Sequence, residues 1–409
     1  MLKIPYGISE FTKIRKEGYL YIDKTKYIRG IETESYCIYV RPRRFGKSLF
    51  TTTLDAYYSL DKKDEYEQLF KGLDIYETPT ENKNNYYVLN FNFSGMTINK
   101  IDELKDVENA FNIKVYNDCV KFIERYKLNI KIPEGYNASQ ILETVLRSFE
   151  GLDLKNKIYI IIDEYDHFTN GMLEGKCENF FNILGKAGFV RAFYEVIKIY
   201  AGTGVVDRFF ATGVAPLTLD SMTSGFNITT SLTLNPMYVA MTGLTEEEVR
   251  EVVEKAEQDK EKQEEIYKDF VENYDGYKFS RKNLKHIFNP TLVMYYLNNY
   301  IKLGEKPEEL IDKNLSTNAE KLKNLIEMVN RQQNYNIVEK LLTEGEIKSI
   351  IVQGFELGKK FNREDFVSLL FYNGYITIKE QDELFNVVTF QIPNHVSYKL
   401  FLNVFKCER

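Results

Sequence analysis

Residues 36–50 of the chain read YCIYVRPRRFGKSLF. The apolar run from Tyr36 to Val40 predicts a short strand, the next residues predict a tight turn, and the apolar start at Leu49 predicts a helix. A strand followed by a tight turn and Gly-Lys-Ser at a helix N-terminus is typical of a P-loop, whose backbone N–H groups and helix dipole point at phosphate. In that arrangement Lys47 reaches the β- and γ-phosphates and the Ser48 hydroxyl holds Mg²⁺. The residues predicted to bind nucleotide are Arg43, Arg44, Phe45, Gly46, Lys47, Ser48 and Leu49.

The turn departs from the P-loop pattern at one position. The pattern places a glycine five residues before Gly46, and this chain has Arg41 there. Arginine adopts positive φ far less readily than glycine, so Pro42 must fix part of the turn instead. Taken alone, the stretch also fits a basic surface turn.

The composition restricts the class of protein. The chain has 409 residues, 44% of them hydrophobic, which is enough for two or three domains. Its formal net charge is -6, so contact with nucleic acid would need a local basic patch. The four cysteines form no CxxC pair, which disfavours a zinc site or a disulfide framework. The N-terminus lacks the apolar core of a signal peptide and no apolar run approaches the length of a membrane span. We therefore expect an intracellular, cytoplasmic protein without a membrane partner.

A second stretch, KIYIIIDEYDHF at residues 157–168, complements the first. The apolar run from Ile158 to Ile162 predicts a central parallel strand buried on both faces. The run ends in Asp163 and Glu164, a Walker B pattern in which the aspartate meets Mg²⁺ and the glutamate polarises the attacking water. Alone, this stretch also fits a strand that meets a polar loop. The two signals in the expected order together favour nucleotide binding.

Three more strands, at residues 86–93, 208–212 and 236–242, complete the predicted sheet. Helices are predicted over 48–58, 100–127, 138–149 and 178–202. In the second of these helices the side chains predicted to face inward are Leu104, Val107, Ala110, Phe111 and Ile113. Strands that alternate with helices, with phosphate chemistry at the ends of two strands, predict an α/β fold with an open, mainly parallel sheet of five strands.

Further residues are candidates for the site. Thr212 closes the 208–212 strand beside Walker B, where it would sense the γ-phosphate or the water, or only cap the strand before Gly213. Arg208 or Arg44 is a candidate arginine finger. Residues 4–35 either cover the nucleotide base or simply pack against the sheet.

The rest of the chain is predicted to be mainly helical. Thr245 and Glu248 form a capping box where it begins. We divide the chain into an ATPase core with its N-terminal segment at 1–245, a helical domain at 246–343 and a winged-helix-like domain at 344–409. The last is predicted from a helix at 364–374, strands at 375–380 and 386–392, and a final helix after Asn394. Such modules bind DNA or serve as lids and docking faces, and this ribbon is not basic.

Taken together, these residues resemble the AAA-ATPase-like family. The matching stretches, in the family's order, are YLYIDKT at 19–25, RPRRFGKSLF at 41–50, IIDEYD at 161–166, ATGVAPLTLDSMTSGFNI at 211–228, LTEEEV at 244–249, YDGY at 274–277 and LLFYNGYIT at 369–377. The resemblance covers about residues 5–405, and an arginine in place of the first P-loop glycine is normal for the family. It implies that Lys47 and Ser48 belong to Walker A and that Asp163 and Glu164 belong to Walker B. The order also resembles that of signalling NTPases that pair an ATPase core with a winged helix.

The family commonly fuses this domain to a C-terminal PD-(D/E)XK nuclease-like domain. That segment would follow residues 392–405, and no Asp…Glu-x-Lys strand pattern follows there before Arg409. We therefore expect the nuclease-like domain to be lost from this member or cut from it.

The sequence therefore predicts a P-loop ATPase that binds ATP with Mg²⁺ and hydrolyses ATP to ADP and phosphate as a conformational switch. The predicted catalytic residues are Glu164, Lys47, Thr212 and Arg208, and the predicted metal ligands are Ser48 and Asp163. Two alternatives stay open: a nucleotide-binding regulatory protein with little turnover, and a DNA-associated ATPase module that serves a nuclease. The last implies nucleic acid or a nuclease as partner, and turnover with and without DNA separates the three.

Overall fold

A computed structural model describes residues 2–96, 104–151, 156–167, 188–216, 228–282, 285–311, 316–355, 361–382 and 386–406. The strands are β1 (Tyr36–Val40), β2 (Tyr86–Asn92), β3 (Lys157–Asp163), β4 (Val206–Gly213), β5 (Thr230–Ser231), β6 (Glu346–Ser349), β7 (Thr377–Asp382) and β8 (Val387–Gln391). The helices of the first half are α1 (Phe11–Glu17), α2 (Lys26–Ile31), α3 (Lys47–Tyr58), α4 (Tyr66–Phe70), α5 (Asp74–Glu77), α6 (Leu104–Arg125), α7 (Ala138–Arg147) and α8 (Gly188–Gly202). Those of the second half are α9 (Glu246–Ala256), α10 (Lys260–Tyr274), α11 (Pro290–Leu303), α12 (Ser316–Ile326), α13 (Arg331–Glu344), α14 (Arg363–Tyr372) and α15 (His395–Lys406).

The main sheet has the strand order β2-β3-β4-β1-β5, and its strand pairs are parallel. β4 lies between β1 and β3, with Gly213 opposite Val40 and Thr212 opposite Asp163. The carboxyl ends of β1 and β3 therefore open at one edge of the sheet, where ligands bind in open α/β folds. The predicted α/β fold with a five-stranded sheet is confirmed.

The central strands bury both of their faces, which explains their continuous apolar sequences. In β3, Ile158, Ile160 and Ile162 pack into the core formed with α6, α7 and α8. Tyr159 and Ile161 point to the other face and pack into a second core formed with α1 to α5. The sheet is thus the middle layer of three, and only its edges are open to a ligand.

The predicted strand over residues 236–242 is wrong. Pro236–Tyr238 forms a 3₁₀ turn, and the fifth strand of the sheet is the short β5 that precedes it. Pro236 has no backbone N–H for a strand ladder, and the Asn235 side chain accepts a hydrogen bond from the Met237 N–H at 3.0 Å. The apolar residues that suggested a strand are buried for another reason, since Tyr238 and Met241 pack beneath the sheet.

In α6, buried residues recur on one face of the helix. Val107, Phe111 and Val115 are buried, as predicted for the first two, but Ile113 is 61% exposed and its predicted inward orientation is wrong. Ile113 is two residues from both Phe111 and Val115, so at 3.6 residues per turn it lies on the opposite side. Some predictions fall on residues that the structure does not describe. They concern the first residues of two predicted helices, 100–103 and 178–187, and residues 217–227 of the stretch that resembles the family.

Beyond β5 the chain is mainly helical, and a second sheet precedes the last helix, α15. The predicted capping box is confirmed, because the Thr245 side chain accepts from the Glu248 N–H and the Glu248 carboxylate accepts from the Thr245 N–H at 2.8 Å. The second sheet is antiparallel in the order β6-β8-β7, so the predicted ribbon is confirmed and β6 is an additional strand. The domain boundaries and the winged-helix assignment stay predictions. Within the described parts of the chain, no helix is both long and apolar enough to span a membrane.

Candidate nucleotide-binding site

The loop between β1 and α3 has the backbone shape that a phosphate-binding loop needs. Gly46 is the N-cap of α3 in the left-handed conformation, with φ 86°, and Arg44 is also left-handed, with φ 66°. A Cβ on Gly46 would meet no atom within 4 Å, so glycine is needed here for its φ rather than for lack of space. A strained arginine in a tight turn costs about 1–3 kcal/mol, and such residues cluster at functional sites.

Lys47 lies across its own loop. The side chain is buried, and its Nζ donates to the Pro42 carbonyl at 3.0 Å. Burial lowers the pKa of this ammonium, and the nearby carboxylates of Asp163 and Glu164 act in the opposite direction. An anion in the loop would stabilise the charged form further, so the position suits phosphate.

Asp163 ends β3 directly opposite this loop. Its carboxylate accepts a hydrogen bond from the Glu164 N–H at 3.1 Å, and the Ser48 side chain lies beside it. Burial raises the pKa of Asp163, while the neighbouring Ser48 hydroxyl and the charge of Lys47 oppose that shift. The structure therefore brings together the two predicted metal ligands, a hydroxyl and a carboxylate.

Glu164 faces the same space from a strained backbone. It has φ 52°, and its side chain is 31% exposed. Its Oε2 lies 3.0 Å from Nδ1 of His167. Burial alone would raise the pKa of Glu164, but the hydrogen bond to His167 and the charge of Lys47 outweigh it and lower the pKa. Glu164 thus holds an ionised carboxylate at the edge of the loop.

A cavity of about 570 Å³ joins these groups. Every residue from Arg43 to Leu49 lines it, together with Glu164. Its other walls are the N-terminal stretch 5–9, residues 20–22, residues 241–244 and the first turn of α11. The lining thus combines a basic loop with largely apolar walls, as a nucleotide with a charged tail and a flat base would require.

Arg41, at the place of the usual first glycine, points away from this cavity. Its guanidinium is sandwiched between the rings of Tyr39 and Phe279, with its Cζ 4.3 Å and 4.4 Å from the ring centres. It donates to the backbone carbonyls of Val40 and Thr233 at 2.9 Å and 2.7 Å. Burial lowers the pKa of this guanidinium, with Tyr39 opposing. Arg41 therefore serves to hold the loop in place rather than to bind phosphate.

Two of the predicted catalytic residues, Thr212 and Arg208, are not among those that line the cavity with Lys47 and Glu164. Thr212 lies beside Asp163, but it is buried and its hydroxyl donates to the Tyr39 carbonyl at 2.7 Å, which joins β4 to β1. Arg208 lies near the amino end of β4, at the opposite edge of the sheet, where it donates to the Tyr86 hydroxyl at 3.0 Å and the Glu32 carbonyl at 3.1 Å. The prediction that Arg208 is a finger for this P-loop is therefore corrected.

Residues far along the chain complete the site, and the sequence analysis missed them. The Thr291 hydroxyl donates to the Arg44 carbonyl at 2.8 Å, and Thr291 and Met294 line the cavity. Phe279 packs on Arg41. The available signal for Thr291 was Asn289-Pro290, which predicts a helix N-terminus, but nothing local indicated that this helix meets the P-loop.

The chain is similar to a known protein family and to individual proteins. A family model described as a predicted AAA-ATPase, AAA-ATPase-like, matches residues 5–223, more than half of the chain. An uncharacterised protein from the vnfD 5′ region of Azotobacter chroococcum mcd 1 is 28% identical over 255 residues, which are 60% of this chain and 44% of that protein. The chain thus spans less than half the length of this curated relative. Among solved structures, the Walker-type ATPase paby2304 of Pyrococcus abyssi is 11% identical with a TM-score of 0.47, over 93% of this chain and 94% of that one. Since the family match extends over more than half of the sequence and includes both motifs, the chain belongs to the AAA-ATPase-like family of predicted AAA-ATPases.

Proposed function

We propose that this P-loop ATPase binds ATP with Mg²⁺ in the cavity of about 570 Å³ and hydrolyses it to ADP and phosphate. The observation that carries the proposal is the meeting of Lys47, Ser48 and Glu164 in the wall of one cavity, with Asp163 beside Ser48. A lysine, a hydroxyl and two carboxylates around a positive-φ loop are the groups that phosphoryl transfer needs.

The donor set fits a hard divalent cation. The Ser48 hydroxyl and the Asp163 carboxylate offer two adjacent oxygens, and Mg²⁺ in nucleotide sites uses one or two protein oxygens with phosphates and water. When bound, Mg²⁺ would neutralise charge on the β- and γ-phosphates. Lys47 would turn from the Pro42 carbonyl to a phosphate oxygen, and its buried position makes that exchange of partners favourable.

Glu164 is the proposed group that orients the attacking water. Its lowered pKa keeps the carboxylate able to accept a hydrogen bond from water, and it lines the cavity. Thr212 and Arg208 take no part in this proposal.

The apolar residues of the cavity wall support a bound base. Leu20, Ile22, Leu244 and Met294 are among the residues that line the cavity. A flat aromatic base gains from burial between such side chains. The N-terminal segment would then cover the nucleotide base, which is one of the two roles expected for it.

Calorimetric titration with Mg-ATP tests the binding site. The Lys47→Ala variant is expected to lose measurable affinity and to keep its melting temperature, because the lysine charge serves the phosphates. Lys71→Ala is the matched control, since Lys71 is an exposed lysine, paired only with Glu67 on the surface. Wild-type affinity in folded Lys47→Ala would overturn the P-loop assignment.

The proposed role as a conformational switch draws on contacts between the P-loop and the C-terminal half. Phe45 packs edge-on against Tyr277, with ring centres 4.9 Å apart. Gly374 lies so close to Pro42 that a Cβ there would come within 2.8 Å of the Pro42 ring. A change in the loop on phosphate binding would therefore reach these segments directly.

Hydrogen exchange with and without Mg-ATP measures that coupling. Mg-ATP is expected to slow exchange at residues 277–279 and 372–375, while α7, which packs against α6 and α8, serves as the internal control. Unchanged exchange at both segments under saturating Mg-ATP would contradict the switch. Binding without measurable turnover would instead favour the nucleotide-binding regulatory protein.

A further inference from the structure

Asp166 is a buried carboxylate two residues after Glu164 that the proposed mechanism leaves unused. Its side chain is 0% exposed, and it is not among the residues that line the cavity. A carboxylate closed off in this way cannot take a proton from a water bound in the cavity. Its role must therefore come from the backbone groups to which its carboxylate is hydrogen-bonded.

Asp166 connects the turn after β3 to the loop after β4 by hydrogen bonds. Its Oδ2 accepts hydrogen bonds from the backbone N–H groups of Val214 and Ala215, at 3.0 Å and 2.8 Å. The Tyr165 hydroxyl makes a third hydrogen bond between the two segments, to the Ala215 carbonyl at 2.9 Å.

Gly213 allows these segments to approach one another. A Cβ on Gly213 would collide with Oδ1 of Asp166 and would come within 2.7 Å of Cε1 of Tyr165. The carbonyl of Gly213 accepts a hydrogen bond from the Arg41 N–H at 3.1 Å. The Walker B turn, the end of β4 and the start of the P-loop therefore meet at one residue.

This arrangement determines where Glu164 points. Glu164 is left-handed, and such a conformation persists only where the surroundings fix it from both sides. On one side lies Asp163 at the end of β3. On the other, the Tyr165 N–H donates to the Thr212 carbonyl at 3.1 Å and Asp166 holds the next loop.

We propose that Asp166 is a positioning residue for hydrolysis, which keeps Glu164 in its left-handed turn and aimed into the cavity. The inference rests on the proposed function, in which Glu164 orients the attacking water. Because a misplacement of about 1 Å can cost about 100-fold in rate, Asp166→Ala is expected to lower kcat by about that factor. KM and the affinity for Mg-ATP should stay near those of the wild type, because Asp166 does not line the cavity.

The experiment is a double-mutant cycle with single-turnover hydrolysis, which resolves slow rates. Asp166→Ala and Asp166→Asn are each measured alone and combined with Glu164→Gln. Asparagine keeps an oxygen that can accept both backbone N–H groups, so Asp166→Asn is expected to recover much of the lost rate and to fold if the alanine variant does not. Asp207→Ala is the control, because Asp207 lies at the other end of β4, where it accepts from Tyr86 and pairs with Lys157.

If Asp166 acts through Glu164, its replacement lowers the rate in the wild type and has no further effect in Glu164→Gln. An equal fold-loss in both backgrounds, or an unchanged rate in a folded Asp166 variant, would overturn the inference while leaving the proposed function intact. Wild-type protein that binds Mg-ATP without turnover, or Glu164→Gln with undiminished turnover, would overturn both.

Discussion

Replacing Phe279 by alanine should weaken ATP binding, although Phe279 is not among the residues that line the cavity. Its ring lies 4.4 Å from Cζ of Arg41 and its centre 5.4 Å from that of Phe45, at an interplanar angle of 88°. The desolvated cation–π contact contributes about 2 kcal/mol. The edge-to-face contact contributes about 1 kcal/mol. Phe279 thus stabilises the P-loop conformation by about 3 kcal/mol.

The expected change in the Kd for Mg-ATP follows from this free energy. If the loop loses it, the conformation that binds phosphate becomes a minority, and the apparent Kd rises by the reciprocal of its population. Since about 1.4 kcal/mol corresponds to a factor of ten, the Kd for Mg-ATP should rise by about 10- to 100-fold. Loss of the buried ring should also lower the free energy of unfolding by about 3–5 kcal/mol.

Calorimetry at a temperature where the variant is folded measures the affinity, and denaturation by urea measures the stability. Phe390→Ala is the matched control, because Phe390 is a fully buried ring of the second sheet that packs on Phe371. It should lose stability and keep its affinity. Wild-type affinity in Phe279→Ala, with a loss of stability like that of the control, would refute the idea that the C-terminal half shapes the P-loop.

Three further outcomes are expected. Arg208→Ala should lower the free energy of unfolding by about 1–3 kcal/mol and leave turnover unchanged, because Arg208 bonds Tyr86 and Glu32 at the edge away from the P-loop; a large loss of turnover in the folded variant, assayed beside denaturation, would return Arg208 to the site. Removal of Mg²⁺ with EDTA should abolish turnover, and Ser48→Ala should raise the Mg²⁺ concentration that gives half-maximal turnover; hydrolysis insensitive to EDTA would contradict the assigned oxygen ligands. The full chain should bind duplex DNA weakly, because its net charge is -6 and Lys379 of the second sheet is paired with Glu346; tight binding that falls steeply with salt, measured by fluorescence anisotropy, would favour the DNA-associated alternative.

The parts of the site that the sequence predicted are those encoded locally. Tyr36–Val40 is a strand and α3 begins at Lys47, as the pattern of residues 36–50 indicates. The Walker B strand ends at Asp163 for the same reason, since a run buried on both faces must end where polar side chains begin.

The parts that the sequence did not predict depend on partners distant in the chain. The sequence marked Arg41 as the residue in place of a P-loop glycine, whereas its guanidinium packs on the ring of Phe279, more than 200 residues away. The position of Thr212 at the end of its strand suggested a sensor, but its hydroxyl donates a hydrogen bond to the Tyr39 carbonyl of the neighbouring strand β1. Residues 236–242 were predicted to form a strand, although Asn235 and Pro236 favour the observed turn. In each case a tertiary contact or a capping side chain decided against the local pattern.

Phosphate release from Mg-ATP by the wild type and by Glu164→Gln tests the central claim most directly. Glutamine keeps the shape of glutamate but cannot accept a proton, so the variant should bind Mg-ATP with wild-type affinity and lose turnover. Glu67→Gln, at a glutamate whose side chain is 69% exposed, is the control and should hydrolyse ATP like the wild type. Undiminished phosphate release by Glu164→Gln would contradict the assignment of this cavity as the hydrolytic site.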